Sequence, residues 1–284
     1  MKYLILGGTG MAGHMICIFL QEQGHDVTTI SRRPFPYCRN IVGDILNTAL
    51  IEKEIKEGGY NAVINCAGLL NHFAEVNKYQ AVLINSYLPH FLNHITLGTK
   101  TKIIQMSTDC VFSGKNGSYS ESSSKDGETF YDRSKALGEL INDKDLTFRN
   151  SIIGPDMNPN GIGLFNWFMK QKRIVNGYTK AIWTGVTTLV LAKAMEKAVQ
   201  QNLTGLYHLV NNKTISKYEL LVYFNEYFRN NEIVINSDDK IAIDKSLINN
   251  RDDFDFQVPD YEEMIIEMAE WVQNHKKLYP HYFQ

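Results

Sequence analysis

Short apolar runs alternate with longer amphipathic stretches through the first 150 or so residues of the chain. The apolar runs predict buried strands over Tyr3–Leu6, Asp26–Ser31, Ala62–Asn65, Lys102–Ser107 and Leu146–Ile153. The amphipathic stretches predict helices over Met11–Gln23, Ala49–Glu57, Tyr79–Thr96 and Tyr131–Asn142. Such alternation is typical of parallel βαβ units with helices on both faces of the sheet. The pattern therefore predicts an α/β fold with a doubly wound parallel sheet.

The second half of the chain is less regular. An Asn-, Pro- and Gly-rich loop over Asn158–Gly163 is followed by helices over Thr188–Gln201, Ser216–Phe228 and Glu262–Lys276, with a strand at Gly205–Val210. We expect helix Thr188–Gln201 and strand Gly205–Val210 to return to the first sheet. This predicts a large domain of residues 1–154 plus 181–210 and a smaller domain of residues 155–180 plus 211–284.

Composition narrows the classes of function. The chain has 284 residues, with 29 Lys and Arg against 31 Asp and Glu, so its formal net charge is −2. A broad nucleic-acid-binding surface is excluded, because a polyanion requires clustered cations. No apolar run approaches the roughly 18 residues of a membrane span. The apolar run after Met1 is too short for a secretory signal, and the four cysteines are scattered, so we expect reduced thiols and a cytoplasmic location.

A glycine-rich turn joins the first strand to the first helix. Gly7, Gly10 and Gly13 follow a GxxGxxG spacing, which is typical of Rossmann-type dinucleotide sites. Gly7 permits the tight turn, Gly10 lets a pyrophosphate approach the backbone, and Gly13 lets the helix pack against the strand. The N-terminus of the helix adds free N–H groups and a partial positive charge. The backbone around the turn, including Thr9, Met11 and Ala12, is therefore predicted to bind the cofactor diphosphate.

Two arginines follow the second predicted strand. A site that prefers NAD usually has Asp or Glu here, to bind the 2′-hydroxyl of the ribose. This chain has Ser31, Arg32 and Arg33 instead. A guanidinium suits a 2′-phosphate through its charge and its bidentate geometry, so NADPH is predicted in preference to NADH. The alternative is that both arginines are merely solvated surface charges.

Tyr131 and Lys135 are four residues apart and lie on one face of a predicted helix. A free tyrosine titrates near pH 10, too high for ready proton exchange at neutrality. A cation about 4 Å away, at an effective dielectric constant of about 20, lowers the pKa of a phenol by roughly three units. The spacing therefore predicts a tyrosine whose pKa is lowered by the neighbouring lysine.

Several motifs in order along the chain bear a family resemblance. The glycine turn, Gly43–Ile45, Asn65–Gly68 and the Tyr131/Lys135 pair together resemble the extended short-chain dehydrogenase/reductase family. The stretch Ser107–Gly114, Ser-Thr-Asp-Cys-Val-Phe-Ser-Gly, looks like that of the dTDP-4-dehydrorhamnose reductases and related nucleotide-sugar 4-ketoreductases. The resemblance is strong to about residue 155 and looser beyond.

The resemblance implies NADPH-dependent reduction of the C4 keto group of a nucleotide-diphosphate sugar, for surface polysaccharide synthesis. Its implied catalytic residues are Thr108, Tyr131 and Lys135. The implied cofactor contacts, besides the turn and the arginines, are Asp44, Ile45, Cys66, Ala67, Gly68, Asn85, Ser107, Tyr131 and Lys135. The implied substrate contacts are Thr108, Cys110, Tyr131 and Trp183, with further contacts within 149–154, 158–167, 173–178 and 183–187. Cys110 departs from the tyrosine common in the rhamnose-type enzymes, which leaves the sugar open.

The sequence alone is also compatible with other functions and sites. His90 and His94 have the spacing of a metal pair but no third ligand nearby, so no metal is predicted. His72 is either a substrate contact or an ordinary loop histidine. Asp109 is followed by Cys110 and not by the Glu of related dehydratases, which disfavours a dehydratase. An epimerase with retained NAD, a noncatalytic NADP-binding regulatory partner and a homodimer all remain possible.

Overall fold

The fold is that of a computed structural model, which describes residues 1–283. Its strands are Lys2–Leu6 (β1), Asp26–Ser31 (β2), Arg39–Val42 (β3), Ala62–Asn65 (β4), Lys102–Ser107 (β5), Leu146–Arg149 (β6), Ser151–Ile153 (β7), Ile174–Tyr178 (β8), Ala181–Trp183 (β9), Gly185–Thr187 (β10), Gly205–His208 (β11), Ile215–Ser216 (β12), Val234–Asp238 (β13) and Ile243–Asp244 (β14).

The α-helices are Met11–Glu22 (α1), Thr48–Gly58 (α2), Asn71–Val76 (α3), Lys78–Ala81 (α4), Leu88–Ile95 (α5), Phe130–Leu137 (α6), Leu164–Met169 (α7), Thr188–Gln200 (α8), Lys217–Arg229 (α9) and Tyr261–Asn274 (α10). A π-helix at Val82–Tyr87 joins α4 to α5, and short 3₁₀ turns occur at Asp109–Val111, Lys276–Leu278 and Pro280–Tyr282. No helix among residues 1–283 is both long and apolar enough to cross a lipid bilayer.

Seven parallel strands form the main sheet, in the order β11-β6-β5-β4-β1-β2-β3. The direction of strand addition reverses between β1 and β4, which is where dinucleotides bind in sheets of this topology. Successive residues of β1 face opposite sides: Tyr3 and Ile5 join one core cluster, whereas Leu4 and Leu6 join another. Both faces of the sheet are thus covered, and the predicted doubly wound α/β fold is confirmed.

The chain returns to the main sheet late, since β11 pairs with β6 and α8 packs against α1. The remaining strands form three small sheets, β7 with β10, β8 with β13, and β9 between β12 and β14. Residues 181–187 therefore lie in small sheets, although they fall within the range assigned to the large domain. The division of the chain into two domains stays a prediction.

Three predicted elements differ from the structure by more than a residue or two. The expected helix Tyr79–Thr96 is divided among α4, the π-helix and α5. The expected strand Leu146–Ile153 is interrupted at Asn150, so that β6 belongs to the main sheet and β7 to a small one. The expected helix Tyr131–Asn142 ends at Leu137. Gly138 is the C-cap and packs so closely on the π-helix that a Cβ there would lie 1.9 Å from the carbonyl oxygen of Asn85, so this position requires glycine.

Candidate active site

A cavity of about 320 Å³ opens at the carboxyl ends of the central strands. Many of the predicted cofactor residues line it: Gly7, Thr9, Gly10, Ser31, Arg32, Arg33, Asp44, Ile45, Cys66, Ala67 and Gly68. These residues come from four separate turns, which follow β1, β2, β3 and β4. The topology thus brings together segments that are far apart in sequence, in the crevice where this kind of sheet binds ligands.

The glycine turn has the geometry that its spacing predicts. Gly7 has a φ of +88°, which favours glycine. A Cβ on Gly13 would lie 2.2 Å from the Gly7 carbonyl oxygen, so this close approach of helix and strand requires glycine. Helix α1 begins at Met11 with no side-chain cap and no acidic residue in its first turn. Its first N–H groups are therefore available to an anion, which is what a bound diphosphate requires.

His14 anchors the turn to the C-terminal part of the chain. Its Nδ1 donates to the Gly10 carbonyl oxygen at 3.0 Å, and its Nε2 accepts from the Tyr279 hydroxyl at 2.8 Å. The Tyr279 oxygen in turn accepts from the Trp271 indole N–H at 3.2 Å. Because the imidazole is fully buried, its pKa falls from 6.5 to about 4. The neutral ring thus holds the carbonyl of the glycine turn in place.

This burial predicts a loss of stability in acid. The pKa of His14 is lower in the folded chain than the unfolded 6.5, so its stabilising contribution is complete above pH 6.5 and is lost as the pH falls toward 4. Between pH 7.5 and pH 5 the loss is about 2 kcal/mol. Urea unfolding at both pH values measures it. We expect His14→Gln to reduce the acid loss by about that amount. The exposed His94→Gln variant is the control, and an equal reduction there would contradict the assignment.

Arg32 and Arg33 are exposed at the cavity, and within residues 1–283 neither has a carboxylate partner in an ion pair. Most arginines elsewhere in this chain are paired, as Arg149 is with Glu139 and Arg251 with Asp253. Two unpaired guanidinium groups beside a dinucleotide cavity fit a ligand that has an extra phosphate. The residues present therefore fit NADP, with the arginines at its 2′-phosphate and the turn at its diphosphate.

Thr108, Tyr131 and Lys135 come together beside this cavity. The Thr108 side chain lies close enough to Tyr131 for a polar interaction that lowers the pKa of the phenol. The Lys135 ammonium donates to the Met106 carbonyl oxygen at 2.6 Å and lies near Cys66, which lines the cavity. Cys110 also belongs to this group, since its backbone N–H donates to the Thr108 hydroxyl at 3.1 Å. Thr108, Cys110, Tyr131 and Lys135 thus adjoin the cavity that eleven of the predicted cofactor residues line.

The expected lowering of the pKa of Tyr131 by Lys135 is wrong for this structure. Burial raises the pKa of Tyr131 well above its usual value of 10, and nearby Cys110 and Asp109 add to the increase. Lys135 is not among the groups that alter the pKa of Tyr131, and its ammonium donates to the Met106 carbonyl oxygen. Burial also lowers the pKa of Lys135 to about 8. Tyr131 is therefore a protonated phenol at neutral pH.

Asn85 and Ser107, both predicted cofactor contacts, are engaged with other protein groups. The Asn85 amide accepts from the Leu69 N–H and donates to the Leu69 carbonyl and to the Ser134 hydroxyl. It thereby ties the turn after β4 to helix α6. Ser107 donates to Glu139 at 2.6 Å. Asn85 lies within the π-helix, an irregularity that is frequent at functional sites.

The structure does not bring the other predicted residues to the cavity lining. Met11, Ala12 and Gly13 form the first turn of α1 behind it. Trp183 is buried in the core against Tyr261, with ring centroids 5.8 Å apart. The ring of His72 lies beside that of Phe73, and His90 bonds the Leu137 carbonyl. Across residues 1–283 no group of three or more potential ligands is placed to hold a metal ion.

Six lining residues had no signal in the sequence: Ile30, Leu46, Leu69, Gln80, Ile84 and Asp156. Gln80 and Ile84 belong to the segment predicted as one continuous helix, where nothing marks an inward position. Asp156 lies between β7 and the predicted loop Asn158–Gly163, and Asn158, the first residue of the implied substrate-contact range 158–167, lines the cavity as well. Burial raises the pKa of Asp156, whereas a hydrogen bond from the Asn158 N–H and the nearby basic residues His281, Arg33 and Lys170 oppose that increase.

Comparisons with known proteins place the chain in a family. A sequence profile described as the RmlD substrate binding domain matches residues 1–237. A spore coat polysaccharide biosynthesis protein of Bacillus subtilis is 25% identical over 77% of this chain and 76% of that protein. A probable low-salt glycan biosynthesis reductase of Haloferax volcanii is 31% identical over 49% of this chain, and the match spans only 48% of that protein.

The fold has close counterparts among solved structures. The dTDP-4-dehydrorhamnose reductase of Bacillus anthracis, crystallised with NADP, superposes with a TM-score of 0.80 at 21% identity. The superposition covers 95% of this chain and all of the other. This likeness shows the shared fold, and the profile match shows the family that the motifs resemble: the chain belongs to the RmlD substrate binding domain family.

Proposed function

We propose that this protein uses NADPH to reduce the C4 keto group of a nucleotide-linked deoxysugar, in the synthesis of a polysaccharide. The family comprises nucleotide-sugar reductases that depend on NAD or NADP. The observation that carries the proposal is the continuity of the site. A cavity with an uncapped helix N-terminus and two unpaired arginines adjoins Thr108, Tyr131 and Lys135 through Cys66.

The chain's own residues supply the proton chemistry. NADPH, when bound, supplies a hydride to the carbonyl carbon of the substrate. Tyr131, a protonated phenol, donates its proton to the carbonyl oxygen as negative charge develops there. The Thr108 hydroxyl donates a hydrogen bond to the same oxygen. Tyr131 holds its proton at neutral pH, as the donor in a net reduction must, but its raised pKa makes it a weak acid, so the transfer depends on stabilisation of the charge that forms.

Lys135 and the buried surroundings support that step. The Lys135 ammonium carries a positive charge close to the reacting groups, which favours the negative charge that develops on the carbonyl oxygen. Tyr131 and Lys135 are both at least nine-tenths buried, so their interaction is weakly screened by water. In the absence of solvent, each fixed charge and dipole has a larger effect than it has at the surface.

The direct test is turnover. NADPH oxidation, followed by absorbance, is measured with a panel of dTDP-, UDP- and GDP-linked 4-keto-6-deoxy sugars. We expect at least one sugar to be reduced. If NADPH binds tightly and every sugar leaves it unoxidised, the reductase proposal fails and a noncatalytic NADP-binding role is favoured. If the purified protein carries NAD that does not exchange and interconverts sugar epimers, an epimerase is favoured instead.

Cofactor preference gives a second prediction. Replacing Arg32 and Arg33 together by Ala removes two charged hydrogen-bonding groups at the expected position of the 2′-phosphate. Because such bonds contribute about 1.5–3 kcal/mol, we expect the NADPH dissociation constant to rise by roughly 10- to 100-fold while that for NADH stays nearly unchanged. Isothermal titration calorimetry measures both constants.

The matched control is Arg39→Ala. Arg39 is exposed on neighbouring β3, pairs with Glu54 at 3.4 Å and does not line the cavity. We expect no change in either dissociation constant for this variant. An Arg32/Arg33 variant that binds NADPH normally would contradict the assignment of these arginines to the 2′-phosphate.

A further inference from the structure

A buried ionic cluster lies behind the catalytic residues, centred on Glu139. Its carboxylate is completely buried, and Arg149 beside it is 1% exposed. Arg149 donates to both carboxylate oxygens, at 2.8 and 2.7 Å. Ser107 donates at 2.6 Å and Lys125 at 3.1 Å. Glu139 thus accepts four hydrogen bonds from three different segments of the chain.

The far side of Arg149 is equally constrained. Its guanidinium donates to His208 Nε2 at 2.8 Å and lies over the Phe112 ring, 5.0 Å from the centroid. His208 Nδ1 donates to the Ile248 carbonyl oxygen at 2.9 Å, so the ring is neutral and Nε2 is the acceptor. Burial and the Arg149 charge both lower the pKa of His208. The cluster therefore has one fixed arrangement of protons.

The cluster touches the catalytic residues at two points. Ser107 immediately precedes Thr108 at the end of β5, so the Ser107–Glu139 bond fixes the backbone that carries Thr108. The Met106 carbonyl that accepts from Lys135 lies one residue earlier. In addition, the Glu139 charge acts on Lys135 directly and opposes the effect of burial on its pKa.

A contribution to the stability of the fold does not by itself account for this buried ionic cluster. Removing a carboxylate and a guanidinium from water costs several kcal/mol, and well-packed apolar residues of the same volume often stabilise a fold as well or better. The carboxylate of Glu139, in contrast, fixes the strand end that carries Thr108 and the carbonyl that accepts from Lys135. Buried networks with every hydrogen bond satisfied also fix a single geometry.

We propose that Glu139 is a positioning residue of the active site: its carboxylate holds the end of β5 in register, so that Thr108 and the Met106 carbonyl that accepts from Lys135 keep their places. The proposal rests on the proposed reductase function and extends it, because it names the group that keeps Lys135 in its place in the active site. Its effect on Lys135 is observable without any substrate.

Few other charged or titratable groups face the two residues. Lys135 is faced by Cys66 from β4, and by Glu139 beyond the end of its own helix. Glu139 is faced by Arg149 from β6 and by Lys125 from the loop before α6. Cys66 has its own pKa raised to about 12 by burial, so it stays a neutral thiol near neutral pH. Glu139 is therefore the main source of negative charge at Lys135.

The test is the titration of Lys135 in the full-length Glu139→Gln variant. The Lys135 side-chain ¹³Cε resonance is assigned from its disappearance in Lys135→Arg and is followed against pH. Glutamine keeps the size and one acceptor oxygen but loses the charge. We expect the Lys135 midpoint to fall by about one pH unit, in line with the usual effect of a nearby opposite charge. In the turnover assay, the alkaline limit of kcat/KM falls by the same amount.

Three further variants separate charge from structure. Ser107→Ala removes a hydrogen bond but keeps the carboxylate, so we expect a lower kcat with an unshifted Lys135 midpoint. Glu128→Gln removes an exposed carboxylate that pairs with Lys115 at 2.6 Å, and should change nothing. Lys125→Met removes a partly exposed cation from Glu139 and should move the Lys135 midpoint slightly upward.

An unchanged Lys135 midpoint in Glu139→Gln overturns the proposal. If Glu139→Gln does not fold, the Lys125→Met variant is the test. A Lys135 midpoint that is unchanged or lower in Lys125→Met would also overturn the proposal. If the midpoint falls in Glu139→Gln while the wild type reduces no sugar, the reductase function fails and the role of Glu139 toward Lys135 stands. If the wild type is active and the midpoint is unmoved, only the role of Glu139 fails.

Discussion

Tyr131→Phe is expected to reduce turnover by roughly 10³-fold, within the range that positioned general acids contribute. The substitution removes only the hydroxyl that gives the proton, and the phenyl ring still fills the space between Thr108 and the apolar cluster of Ala74 and Ala81. Because Tyr131 does not line the cavity, the NADPH dissociation constant should change by less than about threefold. Steady-state kinetics and calorimetry on the same preparation measure both quantities.

Tyr87→Phe is the matched control, since Tyr87 is 48% exposed on the π-helix and away from Thr108. We expect full turnover for this variant. Retained turnover in Tyr131→Phe would exclude Tyr131 as the proton donor. Loss of turnover together with loss of NADPH binding would instead indicate that the ring has moved, and that the phenol has a structural role.

Gly13→Ala is expected to abolish NADPH binding, with at least a 100-fold weaker dissociation constant, and to destabilise the protein by about 1–3 kcal/mol. The added Cβ would lie 2.2 Å from the Gly7 carbonyl oxygen and 2.9 Å from its carbon. Both are backbone atoms that cannot rotate away, so α1 must separate from β1 and the turn must change shape. Urea unfolding and calorimetry measure the two effects.

Gly10→Ala provides the contrast. The nearest atom to a Cβ at Gly10 is the Gly7 carbonyl oxygen at 3.4 Å, so the protein without cofactor should be almost as stable as the wild type. Binding of NADPH should still weaken, because the methyl group lies where the diphosphate approaches the turn. Equal losses of stability in Gly13→Ala and Gly10→Ala would contradict this distinction between a packing glycine and a ligand-contact glycine.

The main sheet was largely predictable because buried parallel strands leave a local signal. Apolar runs such as Ala62–Asn65 and Lys102–Ser107 have the bounds of β4 and β5, and glycine spacing identified the turn at Gly7. Strand β3 was missed, because Arg39–Val42 is partly exposed at the sheet edge and has no apolar run. The split at Asn150 was also invisible, since it depends on β7 pairing with the distant β10.

The site residues that belong to a sequence motif were predictable. Properties that depend on tertiary contacts were not. Spacing alone placed Tyr131 and Lys135 on one helix face, and the structure brings them beside Thr108. Spacing gave the wrong sign for the pKa of Tyr131, because burial and the direction of the Lys135 ammonium outweigh proximity along the helix. Glu139 likewise gives no local signal, since its partners Ser107 and Arg149 come from other strands.

The most direct test of the proposed function follows the hydride itself. The protein is incubated with NADPH deuterated at both C4 positions of the nicotinamide and with the best sugar of the turnover panel. Mass spectrometry and NMR then locate the label in the product. The proposed reductase places one deuterium at C4 of the sugar for each NADPH oxidised. A product without deuterium at C4, or NADPH oxidised with no labelled sugar, would contradict it.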